Sequence, residues 1–302
     1  MVEMFFILSG FFAWPYVKKI YDGLTFKKFF LHKVKRLVPM LCVSAIGYQV
    51  IVLIYYAIFG RLEWFFDTIS IWELVLACTG LQKGWVFKDN IYVNYPVWYI
   101  SILLLCFALF WFGTYICKKL HTSSRYFFVL MILWGLAINS YVINTPFMSH
   151  YNARGYISFF TGVLLASYFY DKKITVKETV ISACTIVGLA VLYFVKPECF
   201  EIRFEYILGF FFYPAIIIFF LSDPVRKLFN VKFWRSAADI CFNGFMWHYS
   251  MLIVLLIFME KCPDLIYRNS YSGMAVFLIL VLVAGTLSNV FIEKGLLKKV
   301  IK

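Results

Sequence analysis

The chain has no Cys-x-x-Cys pair, no Cys/His zinc spacing and no glycine-rich loop of the kind that cradles phosphate. Those gaps argue against a zinc module or other metal site and against a resident nucleotide cofactor. Acidic residues are few: 16 Asp and Glu against 29 Lys and Arg, a formal net charge of +13. In a water-soluble chain that excess would point to nucleic acid. No RNP-like motif and no basic helical repeat accompanies it, so nucleic acid is not expected as a partner. No long soluble domain, internal repeat or low-complexity linker interrupts the sequence, which reads as a single domain over residues 1–302.

What the chain does have is apolar residues. They make up 63% of the 302, aromatics make up 22%, and the mean hydropathy is +0.82. A soluble domain holds roughly 45–50% apolar residues, so the solvent for this surplus is lipid. The expected fold is all-α, a polytopic membrane helix bundle. A spanning helix needs about 20 mostly apolar residues. Leu37–Gly60, Val97–Cys117, Tyr126–Ser149, Ile240–Met259 and Asn269–Ile292 satisfy this. Gly155–Tyr170, Thr179–Val195 and Tyr206–Ser222 are shorter spans for a bundle, and Met4–Val17 is a ninth segment. Ile71–Leu81 is too short to span and contains Glu73; it reads as a half-buried helix on the outer face. Membrane lipids are the first expected partner.

Loop charge sets the orientation. Basic loops carry Lys18 to Arg36, then Lys118, Lys119 and Arg125, then Lys172, Lys173 and Lys177, then Arg226 to Arg235, then Lys294 to Lys302. The intervening loops carry Glu63, Asp67 and Glu73, then only Arg154, then Glu198, Glu201 and Glu205, then Glu260 and Asp264. The positive-inside rule places the basic loops and the C-terminus in the cytoplasm. Nine spans then leave Met1 outside, with no basic flank before the first apolar segment. A missing preceding helix would restore an N-in start. Six cysteines lie in apolar stretches and read as small buried hydrophobes. Cys199 and Cys262 fall in two outer loops and form a candidate disulfide.

Four patches carry groups that can do chemistry. Phe5 to Phe11 contains Ser9-Gly10, a small step that lets another backbone approach closely. Phe29 to Pro39 sets Lys33 and Arg36 three residues apart, on one helical face. Such a pair suits phosphate, although topology determinants and anionic-lipid contacts look the same. Tyr95 to Ser101 places Trp98 and Ser101 at an outer interface, where aromatic anchors are common. Asp239 to Ser250 contains Asp239, Asn243 and His248, polar groups that a membrane helix keeps only when they are paired or functional. His248 is the one histidine deep within a predicted span, either a structural donor or a base.

In order and context these patches resemble the acyltransferase-3 family of bacterial membrane proteins, which acylate surface glycans. The resemblance rests on Phe5-Phe6-x-x-Ser9-Gly10-Phe11, Lys33-x-x-Arg36-Leu37-x-Pro39, Trp98-Tyr99-x-Ser101, Phe245-x-x-His248 and the closing Ile292-Glu293-Lys294. It runs from Phe5 to Glu293. Two positions depart from the pattern: Lys33 stands where Arg is common, and Gly295 where Pro is usual.

The resemblance implies ten core helices, of which the first, with a basic residue and a catalytic histidine, would precede Met1. It implies acyl transfer, in the acetyl case, from cytoplasmic acyl-coenzyme A to a glycan hydroxyl across the bacterial inner membrane. Acyl-coenzyme A would be a donor substrate rather than a bound cofactor. Lys33 and Arg36 would hold its phosphates. Ser9 would line the channel and donate from its hydroxyl, Trp98 and Ser101 would sit near the acceptor, and His248 and Glu293 would support catalysis. Two other readings share the topology: a flippase for a lipid-linked sugar, and an inactive truncated family member. Transporters use paired repeats and midplane charges; the chain shows no internal repeat and almost no midplane charge, which disfavours the flippase. The truncated member would leave Ser9 and Gly10 facing lipid.

Overall fold

Pro15 divides the first apolar segment. α1 (Val2–Phe11) ends in a turn, and α2 (Pro15–Tyr21) starts on the proline, whose missing N–H does no harm in a first turn. In the computed structural model residues 2–62, 71–85, 93–141, 145–201, 204–262 and 271–296 are described. Glu63, Asp67, Asp264 and Lys298 to Lys302, used above to read topology, lie outside them. The described residues are 85% helical, without strands among them.

The remaining helices are α3 (Phe26–Phe59), α4 (Ile71–Thr79), α5 (Trp98–Lys119), α6 (Ser124–Tyr141), α7 (His150–Phe169), α8 (Val176–Val195), α9 (Glu198–Glu201), α10 (Phe204–Ile207), α11 (Tyr213–Leu221), α12 (Asp223–Phe229), α13 (Lys232–Lys261) and α14 (Tyr271–Leu287). A 3-10 turn, Tyr95–Val97, leads into α5. Two π-helical stretches occur: Leu208–Phe212 before α11, and Ser288–Leu296 after α14.

Of the nine expected spans, five correspond to helices long and apolar enough to cross a membrane. A sixth qualifies if Leu208–Leu221 and Asp223–Phe229, bent by 81°, count as one. These helices make it an integral membrane protein. The expected Tyr126–Ser149 span stops at Tyr141, and Ser149 instead caps α7 through a reciprocal box with Asn152. The polar run His150 to Arg154, read as a loop, is the first turn and more of α7. The basic residues from Lys27 to Arg36 belong to the same continuous helix as the span that follows them. The short Ile71–Leu81 element is helical as expected, with Glu73 buried.

The chain forms two compact units. The first comprises Met1–Phe30 and Ile102–Val231, the second Leu31–Ser101 and Lys232–Lys302. At the centre of the first unit is α7, which buries eleven of its 20 residues. It is less apolar than a lipid-facing span because its neighbours are protein. The contrast is α8, in the same unit, where Ser182 alone is buried and the apolar side chains face outward.

Glycines on both sides bring α1 against α7. A methyl group on Gly10 would lie 1.9 Å from the Phe159 carbonyl oxygen, and one on Gly162 would lie 2.0 Å from the Ile7 carbonyl oxygen. Gly10 is therefore covered by α7 rather than left to lipid. Near the same seam Arg154 Nε donates to Glu3 Oε1 at 2.8 Å, and Glu3 is buried. That pair accounts for the Arg154 that stands alone among the charges of its loop. Around the seam the Phe rings interlock: Phe110 stacks on Phe128 at 5.7 Å, Phe128 on Phe160 at 5.9 Å, and Phe107 meets Phe159 edge-on at 5.4 Å.

In the second unit α3 and α13 run parallel. Trp247 lies over Gly47, Tyr48 stacks on Tyr249, and Tyr55 donates to Glu260 at 2.6 Å. The partners rise together along both helices. α14 runs the other way, with Gly285 against Gly244 and Ser288 bonded to Asn243. The eight cysteines are free thiols, and Cys199 and Cys262 are exposed.

Candidate active site

The second unit gathers six of the seven candidate residues on three helices and one turn. Near its start α3 carries Lys33, half-buried, and Arg36, exposed. Arg36 makes no ion pair or hydrogen bond among the described residues. One turn further on, on the same face, Met40 is buried. The other side of that contact is polar. Ser288 Oγ approaches Met40 Sδ at 3.6 Å and donates to Asn243 Oδ1 at 3.1 Å. Asn243 Nδ2 donates to Glu293 Oε2 at 2.6 Å.

The π-helix is what makes this triad feasible. In a regular α-helix two residues five apart point about 140° away from each other. In a π turn, closed by i to i+5 bonds, they follow one another around a single turn. Ser288 and Glu293 are five apart, and Asn243 reaches both. With both amide ends occupied, the Asn243 side chain has one orientation.

His248 stands five residues beyond Asn243 on α13, about 7.5 Å along the axis. Its Nδ1 lies 2.5 Å from the Phe245 carbonyl oxygen. A carbonyl only accepts, so in the neutral ring Nδ1 holds the proton and Nε2 keeps its lone pair. The Phe245 ring packs on His248 at 5.3 Å and meets Tyr99 edge-on at 5.6 Å. Asn94, in the left-handed region at φ 47°, donates from Nδ2 to the Met246 carbonyl at 3.0 Å. The Trp-Tyr-x-Ser and Phe-x-x-His patches, almost 150 residues apart, thus meet.

Trp98 and Ser101 are both buried. The Ser101 hydroxyl donates to the Gly80 carbonyl at 2.5 Å and accepts from Lys83 N at 3.2 Å, while Trp85 Nε1 donates to the Ser101 carbonyl at 2.9 Å. Ser101 fastens the segment after α4 onto the start of α5. The seventh candidate, Ser9, belongs to the first unit, half-buried beside the Gly10 crossing. Among the described residues no three His, Cys, Asp or Glu side chains group as metal ligands.

Sequence reasoning singled out Asn243 and Glu293 but not their link, and it missed Ser288, Asn94 and the Glu3–Arg154 pair. Ser288 and Asn289 were the available signal: two polar residues closing a long apolar run.

A bundle of long apolar helices with a buried amide bonded to a half-buried carboxylate, and an oriented histidine, defines a polytopic membrane protein with the makings of an enzyme. The chain belongs to the acyltransferase-3 family: the family model described as an acyltransferase domain matches residues 1–293. No curated protein and no solved structure matches it.

Proposed function

We propose that this membrane acyltransferase takes its acyl group, acetyl in the simplest case, from acyl-coenzyme A and passes it to a hydroxyl of a surface glycan. The observation that carries the reading is Arg36: an exposed guanidinium, without an ion-pair partner among the described residues, on the same helical face as Lys33. Guanidinium and ammonium groups so placed suit a diphosphate, the Arg as a fork and the Lys as a point charge. In this reading the basic ends of the bundle face the cytoplasm of a bacterial inner membrane, where acyl-coenzyme A is made.

The transfer needs a base and a route for one proton. The acceptor hydroxyl oxygen attacks the thioester carbonyl carbon, forming a C–O bond. The C–S bond breaks as the tetrahedral intermediate collapses. The hydroxyl proton passes to a base and then to the departing coenzyme A thiolate. Within the second unit the group suited to this is His248, whose Nε2 has its lone pair free while Nδ1 is tied to the Phe245 carbonyl.

The test is to incubate membranes carrying the chain with radiolabelled acetyl-coenzyme A and to follow label into glycan. Glycan labelling that requires His248, with acetyl-coenzyme A binding weakened roughly tenfold or more in Lys33→Ala/Arg36→Ala, is the expected outcome; that loss corresponds to one or two charge-assisted hydrogen bonds. Binding unchanged in the double variant would overturn the assignment of Lys33 and Arg36. Absence of transfer to glycan would overturn the acceptor.

A further inference from the structure

Asn243, Ser288 and Glu293 form a linked polar network that the transfer just described does not use. We infer that Asn243 is a positioning residue that keeps the Glu293 carboxylate away from Arg36, leaving the guanidinium to the donor's phosphates. The inference rests on the reading of Arg36 given above.

The geometry follows from the three helices. α3 is parallel to α13, and α14 with its π-helical end is antiparallel to both. The contact between Met40 and Ser288 is therefore a common level. From it, going back four residues along α3 reaches Arg36, one α turn away on the same face. Going forward five residues along the π-helix reaches Glu293, one π turn away in the same direction. The two opposite charges lie at one end of the unit, on helices already in contact one turn above, and both side chains are long. They nonetheless do not pair: Glu293 Oε2 takes its hydrogen bond from Asn243 at 2.6 Å, and Asn243 is fully buried. The amide supplies no counter-charge; it fixes where the carboxylate sits, with Ser288 fixing the amide in turn.

A released Glu293 would compete with phosphate for Arg36. Asn243→Ala should weaken acetyl-coenzyme A binding by roughly five- to tenfold and raise KM for it, with kcat within about twofold of the parent, as loss of binding shared by ground and transition states requires. Glu293→Gln alone should bind like the parent, since Gln can still accept from Asn243. The combination Asn243→Ala/Glu293→Gln should return binding to within about twofold, because the competing charge is gone. A merely structural role for Asn243 predicts the reverse, no rescue, since the second substitution mends no packing.

Binding would be measured on the full chain in detergent or nanodiscs by equilibrium titration with acetyl-coenzyme A. If Asn243→Ala cannot be recovered folded, Ser288→Ala, which frees the amide from its other end, should show a two- to threefold weakening that Glu293→Gln again relieves. Arg36→Ala separates the two ideas. If it leaves binding unchanged, the donor site itself is wrong. If it weakens binding while Asn243→Ala and Ser288→Ala do not, or if Glu293→Gln fails to rescue them, the donor site stands and the positioning role falls.

Discussion

The two units hold their helices together by different means. In the first, α1 and α7 meet backbone to backbone, and a single added methyl would sit about 2 Å from a carbonyl oxygen on either side. In the second, the crossing of α13 and α14 is close but less tight: a methyl on Gly285 would lie 3.0 Å from the Gly244 nitrogen, and one on Gly244 would be 3.5 Å from Val281. Polar bonds take over there, through Asn243, Ser288 and Glu293. Lipid tails are as apolar as leucine, so membrane helices associate through close packing or through hydrogen bonds rather than through hydrophobic exclusion. This molecule uses the former where it needs a rigid seam and the latter where its candidate chemistry lies.

The comparison breaks most visibly at the tighter seam. Gly162→Leu should abolish recovery of folded protein, because neither helix can retreat without parting from Glu3–Arg154 and the Phe cluster; size-exclusion chromatography of detergent extracts would read this. Glu3→Ala comes next. It strands the Arg154 guanidinium in a largely buried position and should cost about 3 kcal/mol, as other broken buried pairs do, measured as a lower thermal midpoint. The second unit should be more forgiving. Gly244→Ala, whose methyl meets only ordinary contacts, should change stability by less than about 0.5 kcal/mol. A large loss there would mean that the looser crossing is as close-packed as the first.

Much of the fold was legible because lipid imposes a simple rule on sequence. α3, α5, α8, α13 and α14 follow from their uncharged runs, and α4 from an apolar stretch too short to span. α7 was mis-started because Asn152 and Arg154 look like loop residues. The Ser149–Asn152 capping box was a local signal that went unread, whereas Glu3, the partner of Arg154, is about 150 residues away. The site was legible in part for the same reason. Asn243 and His248 stand out as polar groups inside an apolar helix, and Lys33 and Arg36 share a face by spacing alone. That Asn243 grips Glu293, or that Tyr99 meets Phe245, depends on which helices become neighbours, and hydrophobic periodicity does not specify that. Ser101, expected to sit near the acceptor end, has its hydroxyl bonded to Gly80 and Lys83, in a segment that the sequence pattern does not bring to it.

The wide turn after α14 carries one residue more than an ordinary helix needs to bring Ser288 and Glu293 to one face. Deleting one residue between Ser288 and Glu293 would let the segment relax into an ordinary helix of four-residue reach. Residues four apart share a helical face, so no functional group would be lost and Glu293 would stay within reach of Asn243. Along this stretch a frame-preserving codon loss should therefore do less harm than replacing Glu293, and conservative apolar exchanges at Val290 or Phe291, whose side chains face outward, should pass unnoticed.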